Sequence, residues 1–398
     1  QKCDYHQIYF EYQIRQEDFI ASAVEVIRSR NSFFPARDEG FNYAILNPPY
    51  HKINSSSKTR ELLSSIGIET TNLYTAFLWL TMELLVANGE LSAIVPRSFC
   101  NGPYFLPFRK SFLREMSFEK IHLFDSRRKA FSDDNVLQEN ILIHTKKTKE
   151  HANVLIHSSN GPDDENILSR EIPYDELVHP NDPQLFIRIV PDDLANQVSQ
   201  LIKAFPSTLN DLGLNVSTGK VVDFRSRDMI VSSPISEPIP LIYPQHIKNG
   251  KIVFPNDSGN KNFYIKEMAT NENAILPLQN LVLVKRFSSK EEKRRIQAGF
   301  LDSQGFKYTK IAIENHINYF YRTYGRISSL MAKGLTLFLN SSICDLYFRQ
   351  FSGHTQVNAT DLKNMRYPSE EQLVSLGSRF ASTDLDQDTI DDLIMEVV

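Results

Sequence analysis

At residues 41–50 the chain reads Phe41-Asn42-Tyr43-Ala44-Ile45-Leu46-Asn47-Pro48-Pro49-Tyr50, a short apolar run that ends in an amide, two prolines and an aromatic ring. A run of this length that stops at a strong turn signal is typical of a buried strand. Proline fixes its own φ and has no N–H, so two prolines in succession hold the turn rigid. We therefore predict a strand over 41–46 and a fixed turn over Asn47–Tyr50.

The turn carries groups that can grip a planar amine. The side-chain oxygen of Asn47 and the carbonyl of Pro48 are acceptors, and the ring of Tyr50 offers a flat face. An amine on an aromatic ring is a poor nucleophile because its lone pair is delocalised into the ring. Two acceptors for its N–H groups would favour a pyramidal nitrogen and aim the lone pair at an electrophile, which requires no His or Cys. The alternative is a Pro-Pro turn that merely ends a buried strand.

Composition limits the class of protein. A chain of 398 residues with 41% hydrophobic and 23% charged residues is typical of a globular protein of two or three domains. The net charge of −4 excludes an overall basic field, so any nucleic-acid surface must be local. The three cysteines form neither a metal pattern nor a disulfide framework, which favours a reducing cytoplasm. We find no signal peptide and no apolar run long enough for a membrane.

Residues 1–150 alternate strand and helix patterns, which predicts a mostly parallel α/β sheet with helices on both faces. We expect the helix Asn72–Ala87 to end at Asn88-Gly89, a typical helix-ending pair. The last two strands are joined by a loop and should form an antiparallel pair at one edge. The predicted strands are Gln7–Arg15, Phe41–Leu46, Leu91–Val95, Glu119–Phe124 and Glu139–Thr145, and the other predicted helices are Ile20–Arg30 and Pro103–Met116.

The rest of the chain changes character. Residues 151–205 read as a connector with short strands and a helix over Pro191–Phe205. Residues 206–370 contain short β-like runs, many turns and scattered basic and aromatic residues, so we predict a separate α+β domain there. Residues 371–398 are acidic and are predicted to be a C-terminal tail.

The motifs resemble those of a known family. Asn47-Pro48-Pro49-Tyr50 after a strand resembles motif IV of the N6-adenine DNA methyltransferases, in the class whose recognition domain comes last. Asp18-Phe19 resembles the acid and aromatic that bind the adenine of S-adenosylmethionine, and Asn72–Phe77 resembles the segment whose Phe packs on that adenine. Asn88–Phe99 resembles the segment of a glycine, a strand and Val-Pro-x-Ser.

The resemblance extends into the second half of the chain. Leu209–Gly213, Val216–Lys220, Val357–Lys363 and Tyr367-Pro368 resemble the recognition domain of restriction–modification methylases of the Eco57I-like and PaeR7I/XhoI-like groups. The resemblance implies a Rossmann-like, S-adenosylmethionine-dependent methyltransferase domain over 1–150 and a DNA target-recognition domain over 206–370. It also implies double-stranded DNA as a partner and a cognate restriction endonuclease as a further one.

The resemblance assigns roles to residues. Asn47, Pro48 and Tyr50 would be catalytic, Tyr50 and Phe131 would stack on a flipped adenine, and the cofactor would contact Asp18, Phe19, Pro49 and Phe77. Each assignment has a simpler alternative. Asp18 could only cap the helix that follows it, Phe77 could be a core residue, and Tyr50 could be a surface residue beside a turn.

A local basic stretch is the candidate DNA surface. Between Lys285 and Lys310 there are eight basic and three acidic residues, with four aromatic residues among them. Phosphate contact followed by groove reading would use such a surface, although charge runs are more often solvated loops. The predicted DNA contacts are Lys285, Arg286, Arg294, Arg295, Lys307, Arg322, Arg326, Gln350, His354 and Asn358.

The chain departs from the family pattern in one respect. The family's first motif is a glycine-containing loop that holds the methionine end of the cofactor. None of the 15 glycines here is adjacent to another or one residue away from it, and only 17 residues precede Asp18. We therefore expect this chain to be a C-terminal piece, or to receive its N-terminal part from another polypeptide, and to bind the cofactor weakly or not at all alone.

Two other functions remain open at this point. The chain could methylate a different planar amine or amide, such as guanine N2 or a protein glutamine, because related enzymes share Asn-Pro-Pro-aromatic turns. It could also be a non-catalytic or split DNA-binding subunit, which the lack of a glycine loop would explain.

Overall fold

The computed structural model describes the chain except residues 1–11, 31–39, 125–139, 160, 162–163, 165, 191, 235–236, 258–260, 268–271, 289–291, 353–354, 381–385 and 398. Two predicted site residues, Phe131 and His354, lie outside the described residues. The chain divides into two compact units. The first comprises residues 1–95, 104–121 and 141–154, and the second comprises residues 96–103, 122–140 and 155–398. The domain limits proposed from the sequence stay predictions.

The amino-terminal elements agree closely with the sequence patterns. In chain order they are α1 (Phe19–Arg30), β1 (Phe41–Leu46), α2 (Lys58–Ser64), α3 (Leu73–Leu84), β2 (Leu85–Pro96), α4 (Leu106–Glu115), β3 (Ser117–Phe124) and β4 (Asn140–Lys146). The short helix α2 was not predicted. The strand predicted over Gln7–Arg15 is wrong in its described part, because Tyr12–Arg15 is irregular and Tyr12 and Ile14 are largely exposed.

In the first unit the strand order is β1-β2-β4-β3. β1 is parallel to β2, with Ala44 opposite Leu91. The side chains of Ser92 and His144 lie 2.9 Å apart, and Lys147 exchanges backbone hydrogen bonds with Asn88 and Gly89, so β4 runs antiparallel to β2. The sheet is therefore mixed.

The last two predicted strands, β3 and β4, are neighbours as expected, but the pair does not lie at an edge of the sheet. β4 lies between β2 and β3. The last residues of β3, His122–Phe124, belong to the second unit, where His122 Nε2 is 2.8 Å from the hydroxyl of Ser159 on the next strand. β3 thus has a neighbour on each side.

The C-terminal end of α3 also differs from the prediction. The helix stops at Leu84, and Asn88 and Gly89 lie within β2, with Asn88 at φ 63°. Distant side chains cap the helix instead. The Lys147 amine donates to the carbonyls of Met82 and Leu85 at 2.8 Å each, and Arg30 donates to Glu83 O at 2.8 Å. A helix end satisfied from across the unit has no local sequence signal.

The remaining elements belong chiefly to the second unit. They are β5 (Val154–Ser159), β6 (Leu168–Ile172), α5 (Tyr174–Leu177), α6 (Asp193–Ala204), β7 (Leu214–Thr218), β8 (Ile230–Val231), β9 (Ile239–Ile242), β10 (Ile247–Lys248), β11 (Lys251–Ile252), β12 (Tyr264–Ile265), β13 (Ile275–Pro277), β14 (Leu281–Lys285), β15 (Ala298–Leu301), β16 (Lys310–Ile313), β17 (Ile317–Arg322), α7 (Ser329–Leu339), α8 (Ser342–Phe351), α9 (Ala359–Lys363), α10 (Glu370–Ser378) and α11 (Gln387–Met395).

Two further sheets lie in the second unit. Their strand orders are β10-β11-β15-β14-β17-β7 and β13-β16-β9-β12-β8. In the first of them β17 is antiparallel to both β14 and β7, with Ile317 opposite Lys285 and Arg322 opposite Leu214. This register fixes which side chains can meet at each end of β17.

A large apolar core joins the strands and helices of the second unit. Phe320 from β17 and Phe338 from α7 are fully buried in it. Leu373 from α10 and Ile394 from α11 are buried in the same cluster, so the acidic segment after residue 370 contributes to the core. None of the helices in the described part of the chain is long and apolar enough to cross a membrane.

Candidate active site and nucleic-acid interface

The turn after β1 presents the predicted catalytic groups. The side chain of Asn47 is exposed, Pro48 is buried and Pro49 is exposed. The buried proline fixes the backbone of the turn, because its φ cannot change and its ring is packed. Asn47 is therefore held at the carboxyl end of a parallel strand with its amide open to a ligand.

Tyr50 is held more tightly than a surface tyrosine. Its hydroxyl lies 3.2 Å from the carbonyl oxygen of Ile94, to which it donates, and 3.5 Å from Asn47 Oδ1. Its ring meets the buried ring of Tyr74 edge to face, at 6.3 Å between centroids and 88° between planes. The contact with Ile94 is the closer one, so the Asn47 oxygen keeps its capacity to accept from another amine.

The predicted cofactor residues of the first unit form a second group. Asp18 caps α1, because its side chain accepts from Ala21 N at 3.0 Å, and the residue is otherwise exposed. The rings of Phe19 and Phe77 lie 4.8 Å apart and both are half-buried. Phe77 therefore faces α1 at the border of the core rather than its centre. Capping and ligand contact are compatible for Asp18, since one carboxylate oxygen remains.

The predicted DNA contacts do not form one surface. Lys285 and Arg286 lie at the end of β17 that begins with Ile317, whereas Arg322 lies at the other end. Five residues of extended strand separate these ends, which is about 17 Å. Arg322 is paired with Glu370 at 2.6 Å. The exposed Lys307 and Arg326 lie on other loops.

Several of the predicted contacts support the fold. Arg295 is 2% exposed, donates to the hydroxyls of Ser288 and Ser352, and stacks on Phe348. Gln350 is 4% exposed and donates to Ala195 O at 2.6 Å. Side chains buried in this way have no free surface for DNA, so we do not carry these two forward as contacts.

Other members of the set are partly occupied. Burial lowers the pKa of Lys285, whose amine donates to Gln297 at 2.8 Å, and burial also lowers the pKa of Arg294, which donates to Asn340 O. Asn358 caps α9 in a reciprocal pair with Asp361. Part of the basic stretch is therefore engaged within the fold, because long cationic side chains can reach backbone carbonyls from buried stems, whereas Lys293 and Lys307 are exposed.

Sequence reasoning passed over the turn Glu314–His316. There the carboxylate of Glu314, 2% exposed, lies 2.5 Å from His316 Nδ1, and half of the His316 side chain is exposed. A single histidine between two strands carries no motif, and its partner is recognisable only once burial is known.

A family model described as Eco57I restriction-modification methylase matches residues 4–131. The type II methyltransferase M.PstI of Providencia stuartii is 44% identical over 390 residues, which covers 98% of this chain and 76% of that protein. The chain belongs to the type II restriction-modification methyltransferases.

Further relatives agree with this family. The type II methyltransferase M.BsuBI of Bacillus subtilis is 43% identical over 368 residues, covering 92% of this chain and 72% of that protein. Among solved structures, the type IIL restriction-modification enzyme MmeI in complex with DNA aligns with a TM-score of 0.51 at 13% identity, over 89% of this chain and 52% of that one. At that identity the MmeI match supports the fold of this type II methyltransferase and no individual residue role.

Proposed function

We propose that this type II methyltransferase transfers a methyl group from S-adenosylmethionine to N6 of adenine in a specific duplex DNA site. Family membership supports methyl transfer within a restriction–modification system. The choice of an exocyclic amine is supported by one observation above all, the exposed Asn47 amide held beside the fixed ring of Tyr50. The partner endonuclease stays a prediction.

The chemistry of the turn suits a flipped base. Adenine N6 is out of reach inside the duplex, so the base must leave the stack and enter the site. Its N–H groups would donate to Asn47 Oδ1 and to the Pro48 carbonyl, which orients the N6 lone pair. Tyr50 would offer its ring as one face of the pocket, since its hydroxyl is anchored on Ile94 O and its edge on Tyr74. Phe131, outside the described residues, remains the proposed second face.

The residues of α1 and α3 fit the adenine end of the cofactor. Phe19 and Phe77 form a half-exposed aromatic pair, and the exposed carboxylate of Asp18 immediately precedes Phe19 at the start of α1. Aromatic faces and a carboxylate acceptor suit a purine with an exocyclic amine. When bound, the cofactor supplies an electrophilic methyl group on a sulfonium.

The outer strand of the first unit supports the proposal of an additional N-terminal portion or partner chain. Among the described strands β1 is the last in its sheet order, and Phe41, Tyr43 and Ile45 are 57%, 74% and 87% exposed. An outer parallel strand with apolar side chains facing solvent is a place where a further strand can pair. We propose that β1 receives the segment that carries the glycine loop for the cofactor.

The test is Asn47→Ala in the complete protein. We expect methylation to fall by on the order of a hundredfold to a thousandfold, since an oriented acceptor at the reacting amine is lost, while DNA affinity stays within a few fold. Methyl transfer is measured with labelled S-adenosylmethionine on host DNA, with the product identified as N6-methyladenine by mass spectrometry. Asn166→Ala, an exposed asparagine of the second unit, is the matched control and should behave as wild type.

Each outcome separates the candidate functions. Equal rates for Asn47→Ala and wild type would contradict the mechanism. Methylated guanine in place of methylated adenine would favour guanine N2 as the substrate. Label transferred to a protein glutamine would favour a protein substrate. DNA binding without any methyl transfer by wild type would support a non-catalytic subunit.

A further inference from the structure

The turn between β16 and β17 holds a histidine in a single orientation. Both oxygens of the Glu314 carboxylate accept from His316, Oε1 from the ring Nδ1 at 2.5 Å and Oε2 from the backbone N at 2.9 Å. A carboxylate accepts only, so Nδ1 carries its hydrogen. The ring is thus left with Nε2 as the nitrogen for an outside partner, and its side chain is 48% exposed.

The backbone of this turn is fixed from two directions. Glu314 N donates to Ile242 O, and Asn315 N donates to Val221 O at 2.8 Å. Gly219 packs directly against the turn, because a Cβ on this glycine would lie 2.2 Å from Glu314 O. The close approach explains why a residue without a side chain follows β7. A histidine on a turn held in this way has a fixed position, and a fixed donor or acceptor is required to recognise one atom of a ligand.

Neighbouring side chains extend the surface. The ring of Phe287, 42% exposed, lies 4.7 Å from the ring of His316. Arg286 donates to Asn315 O and to Gln356 Oε1, each at 3.1 Å, so its guanidinium links the turn that carries His316 to the side chain of Gln356. The Gln356 oxygen accepts this bond from Arg286, and its amide N–H groups are donors suited to an outside acceptor. Lys220 next to Gly219 is exposed.

We propose that His316, Phe287 and Gln356 form a base-reading site for duplex DNA, with His316 Nε2 contacting a base edge. This inference rests on the proposed DNA substrate. Groove recognition uses fixed hydrogen-bonding atoms and apolar contacts such as that with the thymine methyl group. His316 and Gln356 supply the former and Phe287 the latter. Arg286 is a positioning residue here, and Lys220 is placed to contact a phosphate.

The experiment measures base discrimination at each position of the site. The recognition sequence is first found by methylation-sensitive sequencing of DNA from a host that expresses the complete protein. Rates are then compared on duplexes with the site and with each single-base change. We expect His316→Ala to reduce discrimination by about tenfold to a hundredfold at one base pair and to leave the other positions unchanged. Phe287→Leu, which leaves the Glu314–His316 pair intact, should reduce discrimination at the same or the adjoining base pair.

The controls separate reading from folding. His151→Ala makes the same chemical change at an exposed histidine of the first unit and should retain wild-type discrimination. The thermal midpoint of each variant shows whether the second unit is folded. If His316→Ala is unfolded, Phe287→Leu decides the question.

Three results would overturn the inference. In the first, folded variants discriminate as wild type does at every position. In the second, they lose affinity equally for all sequences, with a smaller salt dependence, which is the behaviour of a phosphate contact. Enrichment of bound duplexes from a random pool gives the same comparison through binding alone. If the wild-type protein does not methylate DNA, the proposed chemistry is contradicted, and the enriched motif still tests the base-reading role of His316. In the third result, a wild-type pool without any enriched motif refutes the base-reading inference.

Discussion

The side chain of His246 is fully buried, and its two ring nitrogens have opposite roles. Nδ1 accepts from Tyr243 N at 2.9 Å, and Nε2 faces Asn262 Oδ1 at 3.3 Å, to which it donates. Burial lowers the pKa of His246 to about 4; the bond to Asn262 opposes this lowering, and the charge of Lys248 adds a smaller lowering. Protonation of Nδ1 would remove the bond from Tyr243 N.

This histidine predicts acid sensitivity of the fold. Its folded pKa of about 4 lies below the ordinary 6.5, so the unfolded chain binds more protons between these values. The free energy of unfolding should therefore fall as pH is lowered from about 6.5 towards 4. His179, whose pKa burial also lowers to about 4, acts in the same direction. Urea midpoints at pH 7 and pH 5 measure the effect.

A substitution isolates the contribution of His246. Glutamine takes up no proton in this range, so His246→Gln should show a smaller drop in urea midpoint between pH 7 and pH 5 than wild type. An equal drop in the two proteins would show that this imidazole does not govern the response.

At the level of single residues, the sequence predicted features that consecutive residues form. Asn47–Tyr50 could be recognised because a strand, an amide and two prolines occur in one stretch. The burial of Arg295 and Gln350 could not, since their partners lie up to 155 residues away. The same limit applies to the proposed role of His316, which depends on the buried carboxylate of Glu314, in a turn whose backbone bonds to the distant residues Ile242 and Val221.

At the scale of elements, α7 and α10 touch backbone to backbone through two glycines. A Cβ on Gly334 would lie 1.8 Å from Leu373 O, and a Cβ on Gly377 would lie 1.8 Å from Leu330 O. The helices can approach this closely only where neither has a side chain. Sequence periodicity can indicate a helix but cannot show that Gly334 faces a second glycine.

This contact predicts a strong effect of one methyl group. Gly334→Ala should destabilise the second unit by about 2 kcal/mol or more, despite the better helix propensity of alanine, because overpacking against backbone forces the helices apart. Gly305→Ala is the matched control, since a Cβ there meets its nearest atom at 3.9 Å. Chemical denaturation gives both values. A Gly334→Ala protein as stable as the control would mean that α7 and α10 separate at no cost.

At the scale of the whole molecule, the chain has a well-packed second unit and a first unit whose outer strand faces solvent. In the first unit Leu91 and Val95 of β2 are fully buried, whereas Tyr43 and Ile45 of β1 are 74% and 87% exposed. The alternation of strands and helices predicted an α/β arrangement correctly. It could not predict the place of β4 between β2 and β3, because order within a sheet depends on contacts between strands far apart in sequence.

The exposed strand bears directly on cofactor binding. Asp18, Phe19 and Phe77 are proposed to contact one end of S-adenosylmethionine, and the glycine loop for the other end is proposed to come from a further segment. Contacts at one end of the cofactor do not offset the entropy that the whole ligand loses on binding, so the affinity is low. Calorimetric titration of the cofactor into this 398-residue chain should therefore show weak binding or none. A longer protein that includes the proposed further segment, titrated under the same conditions, is the control and should bind more tightly. Micromolar binding by this chain alone would contradict the proposal that β1 pairs with a further segment. Weak binding by both proteins would contradict the roles proposed for Asp18, Phe19 and Phe77.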